Sequence, residues 1–221
     1  MTGRFFQRLI QIVASLKCCQ SGLFLFALFF SVLLALLLPR RVAIAWSNLS
    51  RVYPDLSKFW RLRTGLAHLL SMGQGIVEAI LAWTQPKQWW LNRLEVVGGE
   101  ELEAAFSLGK GVILLTPHLH TFEIIPRAIA SICQPIHLVY HQSHMREVGE
   151  VVEGFRSQYA QCLAHTDVRE IRRVLHQGQA LGLLPDQCMR DMAQVNVPFL
   201  GVPSWTITSP VRLRARSQAP V

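Results

Sequence analysis

The chain has 221 residues, enough for one real core with a small appendage and too few for several large domains. Half of it is apolar (51%), and Lys and Arg outnumber Asp and Glu by 22 to 14, for a formal charge of +8. That charge favours anionic partners such as phospholipid head groups, phosphorylated glycolipids, nucleic acid or an acidic carrier protein; with no DNA- or RNA-reading motif and an apolar amino terminus, the balance falls to a membrane partner and no nucleic acid.

Residues 4–17 set Arg4, Arg8 and Lys17 among Phe5, Phe6, Leu9, Ile10, Ile12, Val13 and Leu16, the pattern of a basic amphipathic helix on an anionic surface. Gly22 to Leu38 follows without a charge, and Pro39-Arg40-Arg41 ends the run. A length near the ~17–25 residues of a spanning helix predicts a membrane anchor, either spanning or embedded. Ala43-Ile-Ala45 resembles a signal-peptide cleavage site, but Arg40 and Arg41 stand between it and the apolar run, which argues against cleavage. Lys and Arg flank both ends, so the charge rule assigns no orientation.

Residues 42–93 read as mostly helical. Asn48-Leu49 and Tyr53-Pro-Asp-Leu-Ser57 mark a turn with Ser57 as the cap, and 58–83 carries apolar residues at helical spacing. Trp83, Trp89 and Trp90 gather around Pro86, as an interfacial belt or an aromatic core.

From Leu94 strands and helices alternate. Leu94–Val97 reads as a strand, 100–108 as a helix closed by Gly109-Lys-Gly111, 111–117 as a buried strand, and the next stretch to about Cys133 as a helix. Ile136–Tyr140 is the next strand, 144–160 a helix, Val168–His176 a helix ended at Gly178, and Ala180–Leu184 a strand running into Pro185-Asp186-Gln187. Pro198–Pro210 reads as a loop before a helix over Val211–Arg216. The alternation predicts an α/β fold, a largely parallel sheet flanked by helices behind an N-terminal membrane-anchoring helix. The expected organisation is 1–41 for the amphipathic and anchoring helices, 42–93 for a helical region packing on core and membrane, and 94–221 for the α/β core. The five cysteines (18, 19, 133, 162, 188) are odd in number and lack C-x-x-C spacing, which points to a reducing compartment and to plain buried thiols.

His118 falls just past the carboxyl end of the 111–117 strand, where open α/β sheets place their chemistry, and Glu123 follows five residues on. A histidine can take the proton of a weakly nucleophilic hydroxyl, worth about 10²–10⁴ in rate. A carboxylate on its second nitrogen fixes the ring and stabilises the imidazolium. Positions five apart diverge by about 140° on one helix. The pair therefore requires His118 in the turn and Glu123 on the first helical turn, and Pro126 suits that first turn. The pattern H-x4-E is weak alone, and His118, His120 and Glu123 also read as metal ligands, although Thr121-Phe122 adds none. Arginines 146, 156, 169, 172 and 173 crowd the stretch between the two strand-end loops. They read either as solvated helix faces or, since guanidinium forks suit phosphate, as substrate-binding groups, with Arg169 and Arg172 the candidates and Asp186 either orienting those cations or capping a turn.

Several ordered segments together carry more weight: Leu94-Glu-Val-Val-Gly98, Gly109-Lys-Gly-Val-Ile-Leu-Leu-Thr-Pro-His118 with Glu123, Val139-Tyr140, Gly182-Leu-Leu-Pro-Asp-Gln187, Pro198-Phe-Leu-Gly201 and Thr206-Ile-Thr208. With Arg40-Arg41, Asn48-Leu49 and Tyr53-Pro54, the whole chain resembles the lipid A biosynthesis lauroyl/myristoyl (late) acyltransferases of Gram-negative envelopes. The resemblance implies a glycerophosphate-acyltransferase-like fold at the inner membrane, its catalytic part facing the cytoplasm. The implied activity is O-acyl transfer from an acyl carrier protein thioester, or acyl-CoA, to a hydroxyl of a lipid A precursor, with no cofactor and no metal. It assigns His118 as general base and Glu123 as its orienter, with His141, Asp186 and Gln187 at the substrate. His120 stands where the family has a small glycine, and His141 where it tends to carry arginine. The resemblance also implies a carboxyl terminus shorter than the family's, lacking a last strand and closing helices. A truncated, non-catalytic remnant and an acyltransferase for another lipid acceptor remain the alternative readings.

Overall fold

The computed structural model describes residues 2–16, 19–132, 135–140, 146–188 and 192–221. Five helices come first: α1 (Thr2–Ser15), α2 (Gln20–Leu37), α3 (Pro39–Val52), α4 (Lys58–Thr84) and α5 (Lys87–Leu91). Pro39 opens α3 at its first position, where a missing N–H costs nothing. Ser57 caps α4 by accepting from the Trp60 N–H at 3.1 Å.

The remainder alternates: α6 (Gly99–Ser107), β1 (Val112–Leu115), α7 (Ile124–Ile132), β2 (Ile136–Tyr140), α8 (Arg146–Arg156), β3 (Gln161–Ala164), α9 (Val168–His176), β4 (Ala180–Leu183), β5 (Gln194–Phe199), β6 (Val202–Ile207) and α10 (Ser209–Ser217). The first four strands form a parallel sheet in the order β1-β4-β2-β3. The central strand β4 is buried along its whole length, which explains its unbroken apolar run. α9 closes one flank through Ile171, Val174 and Leu175, packed on Ile113, Leu181 and Leu183.

α4 joins the helical half to the sheet. Near its middle it lies so close to α2 that a Cβ on Gly73 would collide with the Ala27 carbonyl and Ser31. Two residues on, its Gly75 backs onto the His120 carbonyl, which a Cβ would approach to 2.7 Å. Further on it delivers buried Ile80, Ala82 and Trp83 to the main core. Among the described residues, α2 and α4 are long and apolar enough to cross a membrane. The face of α2 away from α4 leaves Leu25, Phe29, Leu36 and Leu37 bare, with Leu36 73% exposed.

Four expectations differ from the structure. Asn48 and Leu49, expected in a turn, lie inside α3, which ends only at Val52. Leu94–Val97 pairs with no strand, and Val97 is 88% exposed, so its β-branched residues meet no sheet to pack on. Gln161–Ala164 is a strand that its short, unpatterned sequence does not announce; it forms because β2 offers a free parallel edge. The expected loop at 198–210 is instead an antiparallel hairpin, β5–β6. Its two-residue turn holds Leu200 and Gly201 at φ of 50° and 80°, the arrangement that matches strand twist. Pro198 and Pro203, which read as strand breakers, face each other across it.

Gly111 enters β1 at φ +68°, and a Cβ there would lie 2.7 Å from the Leu175 carbonyl and 2.8 Å from that of Gln179. Gly111→Ala is therefore expected to destabilise the fold by roughly 2 kcal/mol or more, from the left-handed backbone and the clash together. The check is a lower thermal midpoint in detergent, with Gly109→Ala as a milder control, since open space surrounds that position.

Candidate active site

Beyond its last paired residue β1 runs into Thr116, whose N–H still donates to the Leu183 carbonyl at 3.1 Å. Because Leu115 pairs with Leu183, the residues three beyond each strand end, His118 and Asp186, come out side by side. The Asp186 carboxylate takes both donors of His118: the backbone N–H at 2.9 Å, and ring Nδ1 at 2.6 Å. A carboxylate on Nδ1 sets the ring's tautomer and leaves Nε2 as the free acceptor nitrogen. Both side chains remain reachable, at 36% and 37% exposure. Partial burial pushes the Asp186 carboxyl up, but hydrogen bonds from the His118 backbone and ring outweigh it and hold the group below the ordinary value of 3.8.

Glu123, expected to hold His118, is bonded elsewhere. It closes the turn before α7 and is 1% exposed. Its Oε2 accepts from Trp83 Nε1 at 3.0 Å, Arg156 Nε at 3.1 Å and the Tyr159 hydroxyl at 3.4 Å, and Arg156 Nη2 donates to Oε1. The geometry thus corrects the pairing. The carboxylate on the histidine is Asp186, because strand register sets it there, while the Glu123 oxygens are taken up by donors from α4, α8 and the segment after α8. Burial works against the Arg156 cation, but Glu123 overcomes this and raises its pKa above the ordinary value. Burial, reinforced by the Glu123 charge, raises Tyr159, which keeps it a neutral donor. Phe155 stacks on Trp83 at 5.9 Å, and Arg127 lies 5.0 Å over the Tyr159 ring.

His118, Glu123 and Arg156 all line one cavity of about 970 Å³, at the upper end of small-molecule sites. Its other walls are largely apolar, with Leu114, Ile125, Ile129, Leu138, Val148 and Val152 among them. Gln187 also lines it, whereas Asp186 is not among its lining residues. Arg169 and Arg172 do not reach the cavity. α9 buries Ile171, Val174 and Leu175, and its helical period turns these two arginines to solvent. Among the described side chains of the expected arginine cluster, Arg156 lines the site. His141 lies outside the described residues. His120 turns away towards Glu78 on α4, 3.8 Å distant. No three metal-ligating side chains gather among the described residues. Trp83 and Tyr159 were not singled out from the sequence as site residues; an aromatic with a polar tip in an apolar stretch is the only trace they leave there.

Comparison with known proteins bears on the same stretch of chain. The family described as bacterial lipid A biosynthesis acyltransferase matches residues 16–221. A lipid A biosynthesis palmitoleoyltransferase of Escherichia coli (strain K12) is 27% identical over 174 residues, 78% of this chain and 56% of that protein. A lipid A biosynthesis acyltransferase of Shigella flexneri matches to the same extent. A lipid A biosynthesis lauroyltransferase of E. coli K12 is 24% identical over 178 residues, 80% of this chain and 58% of its own length. The chain thus spans a little over half the length of these relatives.

Two outcomes follow from the site. Glu123→Ala strands a guanidinium only 18% exposed, and is expected to cost about 3–5 kcal/mol in unfolding, which Arg156→Leu added to it recovers in part. Because the Asp186 pKa is lowered by folding, its bond to His118 contributes stability above the unfolded value and loses it as pH falls through the folded one. Melting curves below about pH 4 are expected to lose less stability with falling pH in Asp186→Asn than in the parent chain.

Proposed function

The chain belongs to the bacterial lipid A biosynthesis acyltransferase family, and from that premise we propose that it transfers a fatty acyl chain from a thioester to a hydroxyl of a lipid A precursor. The observation that carries this reading is His118, held through Nδ1 by Asp186 at the mouth of a largely apolar 970 Å³ cavity. Nε2 of His118 takes the proton of the acceptor hydroxyl as its oxygen attacks the thioester carbonyl. The tetrahedral intermediate collapses by breaking the carbon–sulfur bond, and the imidazolium returns the proton to the departing thiolate. An ester and a free thiol result, with no change of oxidation state. Asp186 stabilises the transient imidazolium. Glu123 and Arg156 are positioning residues, which fix α7 and the cavity wall behind the histidine. The apolar lining is suited to the acyl chain, and Gln187 to the polar end of a substrate. The donor we favour is an acyl carrier protein thioester, with acyl-CoA as the alternative.

The proposed setting is the inner membrane, with the catalytic part towards the cytoplasm. The bare apolar face of α2 supports an anchor. Beyond it, residues 39–63, from α3 through the turn into α4, carry Arg40, Arg41, Arg51, Lys58, Arg61 and Arg63 against the single acid Asp55, beside Trp46, Tyr53 and Trp60. Cations interleaved with aromatics suit an anionic head-group layer. On this reading residues 1–41 anchor, 42–93 link membrane to core, and 94–221 carry the chemistry.

The test is transfer from carrier protein bearing a labelled acyl chain to a tetra-acyl lipid A precursor in mixed micelles. His118→Ala is expected to lower turnover by about 10²–10⁴. Asp186→Asn is expected to lower kcat with KM little changed. Transfer that survives His118→Ala undiminished would exclude the histidine as base.

A further inference from the structure

The solvent faces of α9 and α10 carry Arg169, Arg172, Arg212, Arg214 and Arg216, all exposed. No ion pair holds any of the five among the described residues; Arg173 alone of this group is paired, with Glu170. The two nearby acids are occupied, since Asp167 caps α9 through the Glu170 N–H at 3.1 Å and Glu170 holds Arg173. The helices are packed together, with Leu213 of α10 seated on the cluster that contains Ile171, Val174 and Leu175 of α9. Five uncompensated cations on adjoining helices repel one another, so they do not serve the fold.

Both helices leave from the cavity. His165, shortly before α9, and Ser209, the first residue of α10, line it. At about 1.5 Å per residue, Arg212 stands some 5 Å along the axis from Ser209. Arg169 and Arg172, and likewise Arg212 and Arg216, are one turn apart and share a side of their helices. The arginines therefore lie on helices that start beside the site, without lining it themselves.

We propose that this arginine face docks the acidic carrier protein whose thioester supplies the acyl chain. The inference rests on the acyl transfer proposed above. Charge complementarity identifies an acidic surface as the partner. A protein is favoured over a bilayer because α9 and α10 contain no Trp, Tyr or Phe, whereas cations interleaved with aromatics lie on α3 and α4.

Arg212→Glu/Arg216→Glu, with Arg169→Gln/Arg172→Gln as a milder second variant, separates the possibilities in the full chain. Transfer is measured from acyl carrier protein and from acyl-pantetheine, which bears the same thioester without the protein. The expected result is a KM for the carrier-bound donor raised about tenfold, kcat within twofold and transfer from acyl-pantetheine unchanged. In the parent chain, raising salt is expected to weaken carrier binding measured by surface plasmon resonance. Equal effects on both donors, or none on either, overturn the proposal. So does lost co-flotation with vesicles containing anionic phospholipid while carrier kinetics stay intact, which would assign the face to the membrane. If neither donor supports transfer, the acyl-transfer reading fails, and the direct binding measurement decides the docking face: carrier bound by the parent chain and released by the double variant sustains it, and equal binding by both refutes it.

Discussion

A single buried carboxylate ties the two halves of this protein together. Glu123 is sealed from water and takes donors from Trp83 on α4, Arg156 on α8 and Tyr159 just after it. An ionised carboxylate in such a place is tolerated only when a paired cation and further hydrogen bonds replace the water it has lost. Meeting that demand fixes where α4, α7 and α8 stand relative to the end of β1. The stacked Trp83 and Phe155 rings, and Arg127 over Tyr159, surround the pair with apolar and aromatic surface that excludes water from it.

The second constraint is sheet order. β1 and β4 are far apart in the chain, yet they are neighbours in the sheet, in register from Val112 with Ala180 to Leu115 with Leu183. Their extensions must then emerge together, which brings His118 to Asp186. One carboxylate thus builds the wall behind the histidine and another orients its ring. The two duties differ in environment. Glu123 is buried and structural in its contacts, whereas Asp186 stays over a third exposed beside an accessible imidazole. A buried ion pair gives rigidity where the wall must not move, and the half-exposed pair leaves a nitrogen free at the cavity mouth.

Charge is also partitioned by place. One basic region lies on α3 and the beginning of α4, mixed with aromatics and adjoining the apolar α2. The other lies on α9 and α10, without aromatics and close to the cavity. α4 spans the distance between the anchor-like helices and the site, touching α2 at Gly73 and the His120 backbone at Gly75. Its tight approaches at both points leave little free space between α2 and the backbone beside His118, because protein interiors are close-packed.

Much of the frame was legible in the sequence. Local pattern located the helices α1, α2, α4, α6, α7, α8, α9 and α10, and the apolar runs located β1, β2 and β4, because burial writes a 3.6- or 2-residue period, or an unbroken apolar run, directly into local composition. The motifs placed His118, Glu123, Asp186 and Gln187 around strand ends, and the first three, with the cavity-lining Gln187, do occupy that region. What local pattern could not supply was pairing. Which carboxylate faces the histidine depends on strand order and register across dozens of residues, and Arg156 was indistinguishable from Arg169 and Arg172 until helix packing turned one inward and two outward. β3 and the hairpin β5–β6 likewise exist because a partner backbone was within reach, a long-range condition that no window of sequence records. The chain by itself determined most of the helices, the buried strands, the chemical types at the strand ends and the excess of positive charge. The tertiary structure alone decided which of those groups touch, since contact between distant residues is fixed by packing and not by spacing.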